Sequence, residues 1–354
     1  MNPTRSLVAL ALCCATSLAQ TVIFPPDYVA VPEGPFNAPN LPLAYGTSRV
    51  QCLYESAYMS VPAGHQITSV GFREDTSVGA LSMGRSLQLE VRMGYSDKNS
   101  SNITATFDSN FTTTPVTVFG PALFVLPNLR DPASPLANGR FSIPIAPFTY
   151  APAAGQNLLV EYRVFGTSGG GSPFNYYMDR ADFYSPVVNG PAGCPHTTGT
   201  PSLTLDPTRP GYNFGATVTQ GPSATLGVLA INIGTGLVAP FSLQPLFSGI
   251  APTCTGQVSP LGLATIGITT GGSGYANISW YIPNNPVFSG IPIGSQALLL
   301  DFFSPGGLVV SNGCEVLTGT IPRSSYVYAN APPTSVVTGS RILNYCPVTF
   351  FQHN

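Results

Sequence analysis

Two stretches of the chain alternate in hydrophobicity with a period of two. Leu87, Leu89, Val91 and Met93 are interleaved with Gln88, Glu90 and Arg92, and Leu158, Val160, Tyr162 and Val164 stand against Glu161 and Arg163. A strand turns successive side chains to opposite faces, so each stretch predicts a strand with one core face and one wet face. Shorter apolar runs at 116–119 and 141–145, bounded by Pro and Gly, predict two more. Residues 47–61 fit either period: Val50, Cys52 and Tyr54 alternate as in a strand, whereas Val50, Leu53, Tyr54, Ala57 and Tyr58 would suit a helix. The reading adopted is strand. Further along, residues 225–232, 264–268, 278–282, 297–303 and 308–310 form short strands with turn residues between nearly all of them. Trp280, flanked by Ile278 and Ile282, is expected to face the core. Apolar runs at Val327-Tyr328 and 348–351 predict an ordered tail.

No segment has the length or period of a crossover helix, which a parallel sheet would need. The expectation is an all-β chain of two antiparallel β-sandwich or jelly-roll-like domains in tandem. Its parts would be a signal peptide over 1–19, an extended Pro-rich lead-in over 20–46, and an N-terminal sandwich over 47–190. A C-terminal sandwich would span 191–322, and a tail of one or two strands 323–354. The Gly-rich run 166–171 and the stretch 186–195 mark the join.

Composition supports strands over helices. Gly (37) and Pro (36) interrupt the chain throughout, yet 44% of its 354 residues are hydrophobic, enough for a core. Only 8% are charged, with a net charge of −2 and a single lysine, Lys98. No basic footprint for nucleic acid or an anionic membrane is present.

Arg5, a short apolar run over 7–15, and small residues at Ser17 and Ala19 read as an export signal cleaved before Gln20. No later run is long enough for a transmembrane helix. The chain is expected to be secreted, periplasmic or on the cell surface, where disulfides persist. Of its seven cysteines, Cys13 and Cys14 fall in the leader. Pairing Cys194 with Cys254 and Cys314 with Cys346 would leave Cys52 as a buried thiol, although many other arrangements are open.

Residues 95–114 hold the sequons Asn99-Ser100-Ser101, Asn102-Ile103-Thr104 and Asn110-Phe111-Thr112, and Asn277-Ile278-Ser279 is a fourth. These are glycan acceptors in a eukaryotic secretory pathway and polar loop residues otherwise.

Several short motifs, in their order, resemble a recurrent secreted domain of planctomycete-type bacteria. They are Phe72-Arg73-Glu74-Asp75, Asp108-Ser109-Asn110-Phe111, Pro147-Phe148-Thr149-Tyr150 and Gly155-Gln156-Asn157-Leu158-Leu159-Val160-Glu161. The second half is similar to the β module that often follows it, through Gly193-Cys194-Pro195, Ile282-Pro283-Asn284-Asn285-Pro286, Gly290, Gln296-Ala297 and Ser311-Asn312-Gly313. The similarity covers roughly residues 45–320 and departs at Cys314, where that pattern has an apolar residue. It implies secretion and a β architecture, and it brings no catalytic residues.

Chemistry is sparse. Gly166-Thr167-Ser168-Gly169-Gly170 matches the GxSxG nucleophile elbow, but Gly171-Ser172-Pro173 is a poor helix start and favours a linker. His65, His196 and His353 fall in turns or at the tail, without the spacing of a zinc site, and are expected to be solvated loop residues. Carboxylates are the better lead: Glu74-Asp75, and Asp179 with Asp182. Asp179 and Asp182 offer hard oxygen ligands for one calcium ion, or the acid pair of a glycan-active hydrolase. Tyr176-Tyr177 and Phe183-Tyr184 place aromatic faces beside them. Tyr176, Tyr177, Asp179 and Asp182 are therefore the candidate ligand-binding residues, and no catalytic residue is assigned. The expected function is a non-catalytic surface, matrix or recognition protein for an extracellular protein or glycan. The alternative is a secreted hydrolase using carboxylates near Asp179 and Asp182.

Overall fold

The computed structural model describes residues 19–29, 42–73, 75, 84–128, 140–169, 174, 176–343 and 345–354. The expected leader, most of the lead-in, Glu74 and the end of the GxSxG run lie outside them. Among the described residues every regular element is a strand or a 3₁₀ turn of three or four residues. The protein is all-β, and its sheets are antiparallel.

The chain divides into two compact units, one running to Ala181 and including Arg323–Asn354, the other Asp182–Pro322. The first unit contains β1 (Gln20–Phe24), β2 (Ser48–Tyr54), β3 (Gln66–Arg73), β4 (Arg85–Ser96), β5 (Val116–Leu126), β6 (Arg140–Thr149) and β7 (Asn157–Thr167), with β8 (Arg180–Asp182) at its end. The second contains β9 (Val187–Asn189), β10 (Ser202–Leu205), β11 (Asn213–Thr219), β12 (Leu226–Ile233), β13 (Leu237–Ser242) and β14 (Thr255–Val258). It continues with β15 (Leu263–Thr269), β16 (Ala276–Tyr281), β17 (Pro292–Leu300) and β18 (Leu308–Leu317). The tail then adds β19 (Ser324–Ala329), β20 (Ser340–Ile342), β21 (Tyr345–Pro347) and β22 (Thr349–His353) to the first unit.

The first unit is sandwich-like. A six-stranded sheet, β20-β19-β2-β7-β4-β5, faces a four-stranded sheet, β1-β22-β3-β6. The core between them takes Leu87, Leu89, Val91 and Met93 from β4, Val160 and Tyr162 from β7, Val70 and Phe72 from β3, and Ile143 from β6. The β4 and β7 residues among these are the apolar positions of the period-two pattern, so alternation selects which face of those strands meets the other sheet. Of residues 47–61, read as strand, 48–54 are strand and 56–58 form a 3₁₀ turn.

The tail is integral to this core. β22 runs between β1 and β3, so both of its edges are hydrogen-bonded. Phe351 is fully buried and meets the Tyr54 ring edge-on at 5.1 Å, and the Tyr54 hydroxyl bonds Thr349 Oγ1 at 3.0 Å. Gly71 lies beneath the Phe350 ring, where a Cβ would collide with it.

The second unit is also sandwich-like. The five-stranded sheet β15-β12-β17-β18-β9 packs against the three-stranded β10-β11-β16, and β13-β14 forms a separate hairpin. Leu229, Ala297, Leu299 and Val309 meet Leu203, Phe214 and Val218 between the sheets. Cys194 and Cys254 form a disulfide within this core. Trp280 packs partly buried against it, 4.4 Å from Phe214 between ring centroids.

Two expectations need correction. Cys314 and Cys346 are not joined: both are separate buried thiols, as is Cys52. The Cys314 thiol instead has its one hydrogen within reach of two acceptors, Leu203 O at 2.9 Å and Asn189 Oδ1 at 3.1 Å. The strand read over 297–303 ends at Leu300, and Phe302 and Phe303 lie in the following turn.

Because β22 is an interior strand, its loss should unfold the first unit rather than trim it. Phe351→Ala should lower stability by about 3–5 kcal/mol. Deleting residues 323–354 should abolish one cooperative transition, and a circular-dichroism melt with two unchanged transitions would contradict the assignment.

Candidate functional site

The ionic centre of the first unit lies on the polar face of the six-stranded sheet. Register builds it: Gln51 stands opposite Glu161 across β2 and β7, while Arg92 opposes Glu161 and Glu90 opposes Arg163 across β4 and β7. Glu161 Oε2 accepts from Arg49 Nε at 3.0 Å and Gln51 Nε2 at 2.7 Å, and Oε1 accepts from Arg92 Nη1 at 3.1 Å. Arg163 Nη1 donates to Glu90 Oε2 at 2.7 Å, and Arg49 Nη2 reaches Asp108 Oδ1 at 2.5 Å.

This face is not wet, contrary to expectation. Glu161 is fully buried and Glu90 is 7% exposed. The polar segment 97–115 folds over it, with Phe107 under the Arg49 guanidinium at 4.6 Å. The tail contributes carbonyls, Val336 O to Arg49 and Pro333 O to Arg163. Asn110 is completely buried, its amide donating to Gln51 Oε1 and Thr104 O. That sequon is occupied by the fold itself, whereas Asn99, Asn102 and Asn277 are exposed. Three guanidinium and three carboxylate groups balance here, an arrangement suited to fixing strands rather than to turnover.

The predicted residues do not assemble into an open cleft. Tyr176 is fully buried, its hydroxyl donating to Pro127 O at 3.1 Å and its ring 5.8 Å from Phe141. Asp179 is fully buried and ion-paired with Arg73, whose Nε donates to Oδ2 at 2.5 Å. Tyr177 and Asp182 are half-buried. The Asp179 backbone bonds Arg73 O and is bonded by Val348 N, so this segment is stitched into the first unit. A carboxylate neutralised by a guanidinium and shielded from solvent is poorly placed for general acid or base work. No three His, Cys, Asp or Glu side chains converge among the described residues. Ser168 Oγ of the GxSxG run accepts from Ser86 N at 3.0 Å, extending the β4–β7 edge.

None of the three histidines is the freely solvated loop residue expected. His353 is 1% exposed, and its Nδ1 lies 3.0 Å from Nδ1 of His65. Burial and the facing His65 hold its imidazole below the ordinary range. His196 is half-buried, with Nε2 2.9 Å from Gln220 O. The thiols are quiet: burial pushes Cys52 up to about 12 and Cys314 up to about 11, far from thiolate at neutral pH.

In the second unit, amides replace charges. Gln296 Nε2 donates to Thr255 O and Ser311 O, and its Oε1 accepts from Gln257 N. Gln257 Oε1 accepts from Gly313 N, and Asn312 bonds both backbone groups of Leu203. The residues Gln296 and Ser311-Asn312-Gly313 are thus strand-to-strand ties.

The most exposed large apolar side chains among the described residues of this unit lie in the turn after β17. Phe302 and Phe303 are each 85% exposed. Asp301 braces the turn: Oδ1 accepts from Phe303 N at 3.2 Å and Oδ2 from Ser304 Oγ at 2.5 Å. The two rings border a cleft of about 270 Å³ shared with His196, Thr198, Ser223 and Thr225. The aromatic faces can stack on a neutral polar ligand, and the hydroxyl oxygens of Ser223 and Thr225, whose hydrogens go to Gly272 O and Leu300 O, can still accept from it. Sequence reasoning missed it by reading both phenylalanines as strand; the Asp-Phe-Phe-Ser-Pro-Gly-Gly run was the available turn signal.

Fold and sites together define an all-β, sandwich-like, disulfide-bearing protein whose buried polar groups are structural. No protein-family model and no curated relative matches the chain.

Glu161→Ala should strand buried guanidinium charge on Arg49 and Arg92. A loss of about 3–5 kcal/mol in urea unfolding is expected. Asp97→Asn, at an exposed pair with Lys98, should leave the midpoint unchanged. Equal effects would refute the assignment of Glu161 as the centre.

Proposed function

We propose that the chain is a secreted, non-catalytic recognition protein that binds a neutral glycan through the Phe302–Phe303 turn of its second unit. The observation that carries this reading is the braced turn itself: two adjacent phenylalanines, 85% exposed, beside a hydroxyl-lined cleft. Exposed aromatic faces contribute little to folding and much to a partner that covers them. With only 8% of residues charged, complementarity favours a neutral partner.

Export is supported by the leader-like N-terminus and by the Cys194–Cys254 disulfide, a bond that persists in oxidising compartments. The motif similarity to secreted planctomycete-type domains points the same way. The hydrolase alternative loses support from the Arg73–Asp179 pair, which leaves Asp179 buried and neutralised.

A glycan array probed with the chain in calcium and again in EDTA tests this reading. A selective signal is expected in both conditions, reduced at least tenfold in Phe302→Ser/Phe303→Ser with no change in melting temperature. A blank array, or a signal indifferent to the double substitution, would move the search to protein partners.

A further inference from the structure

His65 and His353 are separated by 288 residues yet approach to 3.0 Å between Nδ1 atoms, with ring centroids 5.0 Å apart at an interplanar angle of 61°. Each ring is carried on a fixed backbone. His65 closes a turn in which Gly64 has φ +88°; its N–H donates to Pro62 O and its carbonyl accepts from Tyr150 N. His353 is the last residue of β22, where the register against β3 shifts between Gln352 and His353 and brings it opposite Ile67. Such an irregularity re-aims a side chain. His353 is buried and His65 half-exposed, so one ring is locked and the other can be reached from solvent.

We propose that His65 and His353 form a two-imidazole binding site for a divalent transition-metal cation, taking Cu²⁺ in preference to Zn²⁺. Two nitrogens at about 2.0–2.1 Å from one metal, about 90–100° apart, lie about 2.8–3.2 Å from each other. The observed spacing falls in that range, so little movement is needed. In the free protein one Nδ1–H hydrogen points at the other Nδ1. On binding, that hydrogen transfers through water to Nε2 of its own ring, freeing both Nδ1 lone pairs and releasing no net proton from the neutral pair. No third His, Cys, Asp or Glu joins them among the described residues, so water fills the remaining positions on the His65 side. Imidazole pairs suit Cu²⁺ and Zn²⁺, whereas Ca²⁺ and Mg²⁺ require oxygen ligands, and the order of divalent affinities places Cu²⁺ above Zn²⁺.

The test is calorimetric titration of the untagged full chain with Cu²⁺ in a weakly coordinating buffer, with electron paramagnetic resonance on the product. One equivalent is expected to bind, with coupling to two imidazole nitrogens. Affinity should fall at least tenfold in His65→Gln and change less than twofold in His196→Gln, and Zn²⁺ should bind more weakly than Cu²⁺. Absence of stoichiometric binding, or a loss under tenfold in folded His65→Gln, would overturn the site. Should that variant not fold, the wild-type spectrum decides: coupling to fewer than two imidazole nitrogens also overturns it.

Discussion

A fully buried carboxylate has to be neutralised where it sits, and in the first unit Glu161 imposes that condition on everything around it. Its partners come from both neighbouring strands, Arg49 and Gln51 on β2 and Arg92 on β4. Slipping either strand by one residue would turn its own arginine, Arg49 or Arg92, toward the apolar core and take that partner away from Glu161. A buried charge left without a partner costs several kcal/mol, so such slips are strongly disfavoured. The cover over the network is fixed by the same charges, because Arg49 and Arg163 also bind carbonyls of the tail. The tail therefore closes the first unit twice, as an interior strand in one sheet and as a lid over the polar face of the other.

The second unit meets the same requirement with side-chain amides. Gln257, Gln296 and Asn312 satisfy backbone groups between strands without bringing charge into the interior. The polar ties of the two units, Asp108, Asn110 and Glu161 in the first and Gln296 and Ser311-Asn312-Gly313 in the second, pin the fold together. Groups committed in this way are not free to bind a ligand, and the binding surface has to be sought elsewhere.

The alternation at 87–93 and 158–164 was legible because a strand with one apolar face writes that face directly into the sequence. What alternation could not show is whether the opposite face meets water. Glu161 and Glu90 look solvated until the segment 97–115 is placed over them, and that placement depends in part on contacts spanning more than a hundred residues, such as Arg341 to Ile103 O. The same distance hid the meeting of His65 with His353 and the position of β22. The Cys194–Cys254 bond was one of many pairings the cysteine positions left open. Cys314 was misassigned because a thiol that donates to Leu203 O reads, in sequence, like one awaiting a disulfide partner. Tyr176 and Asp179 drew notice as an aromatic beside an acid, but burial assigned one to the core and the other to Arg73.

Once the acids, amides and buried histidine are committed to the interior, the surface has little charge with which to recognise anything. Selectivity on such a surface must come from shape, hydroxyl groups and aromatic faces, since long-range steering needs charge. The turn after β17 supplies these together. Its phenylalanines gain little from folding, yet Asp301 spends both carboxylate oxygens holding the backbone that presents them. A braced turn loses less freedom when a ligand covers it, which improves binding without adding a contact. An unbraced turn would allow the two rings to collapse onto neighbouring apolar surface. The brace is therefore best understood as preorganisation, with the exposed rings as the feature it serves.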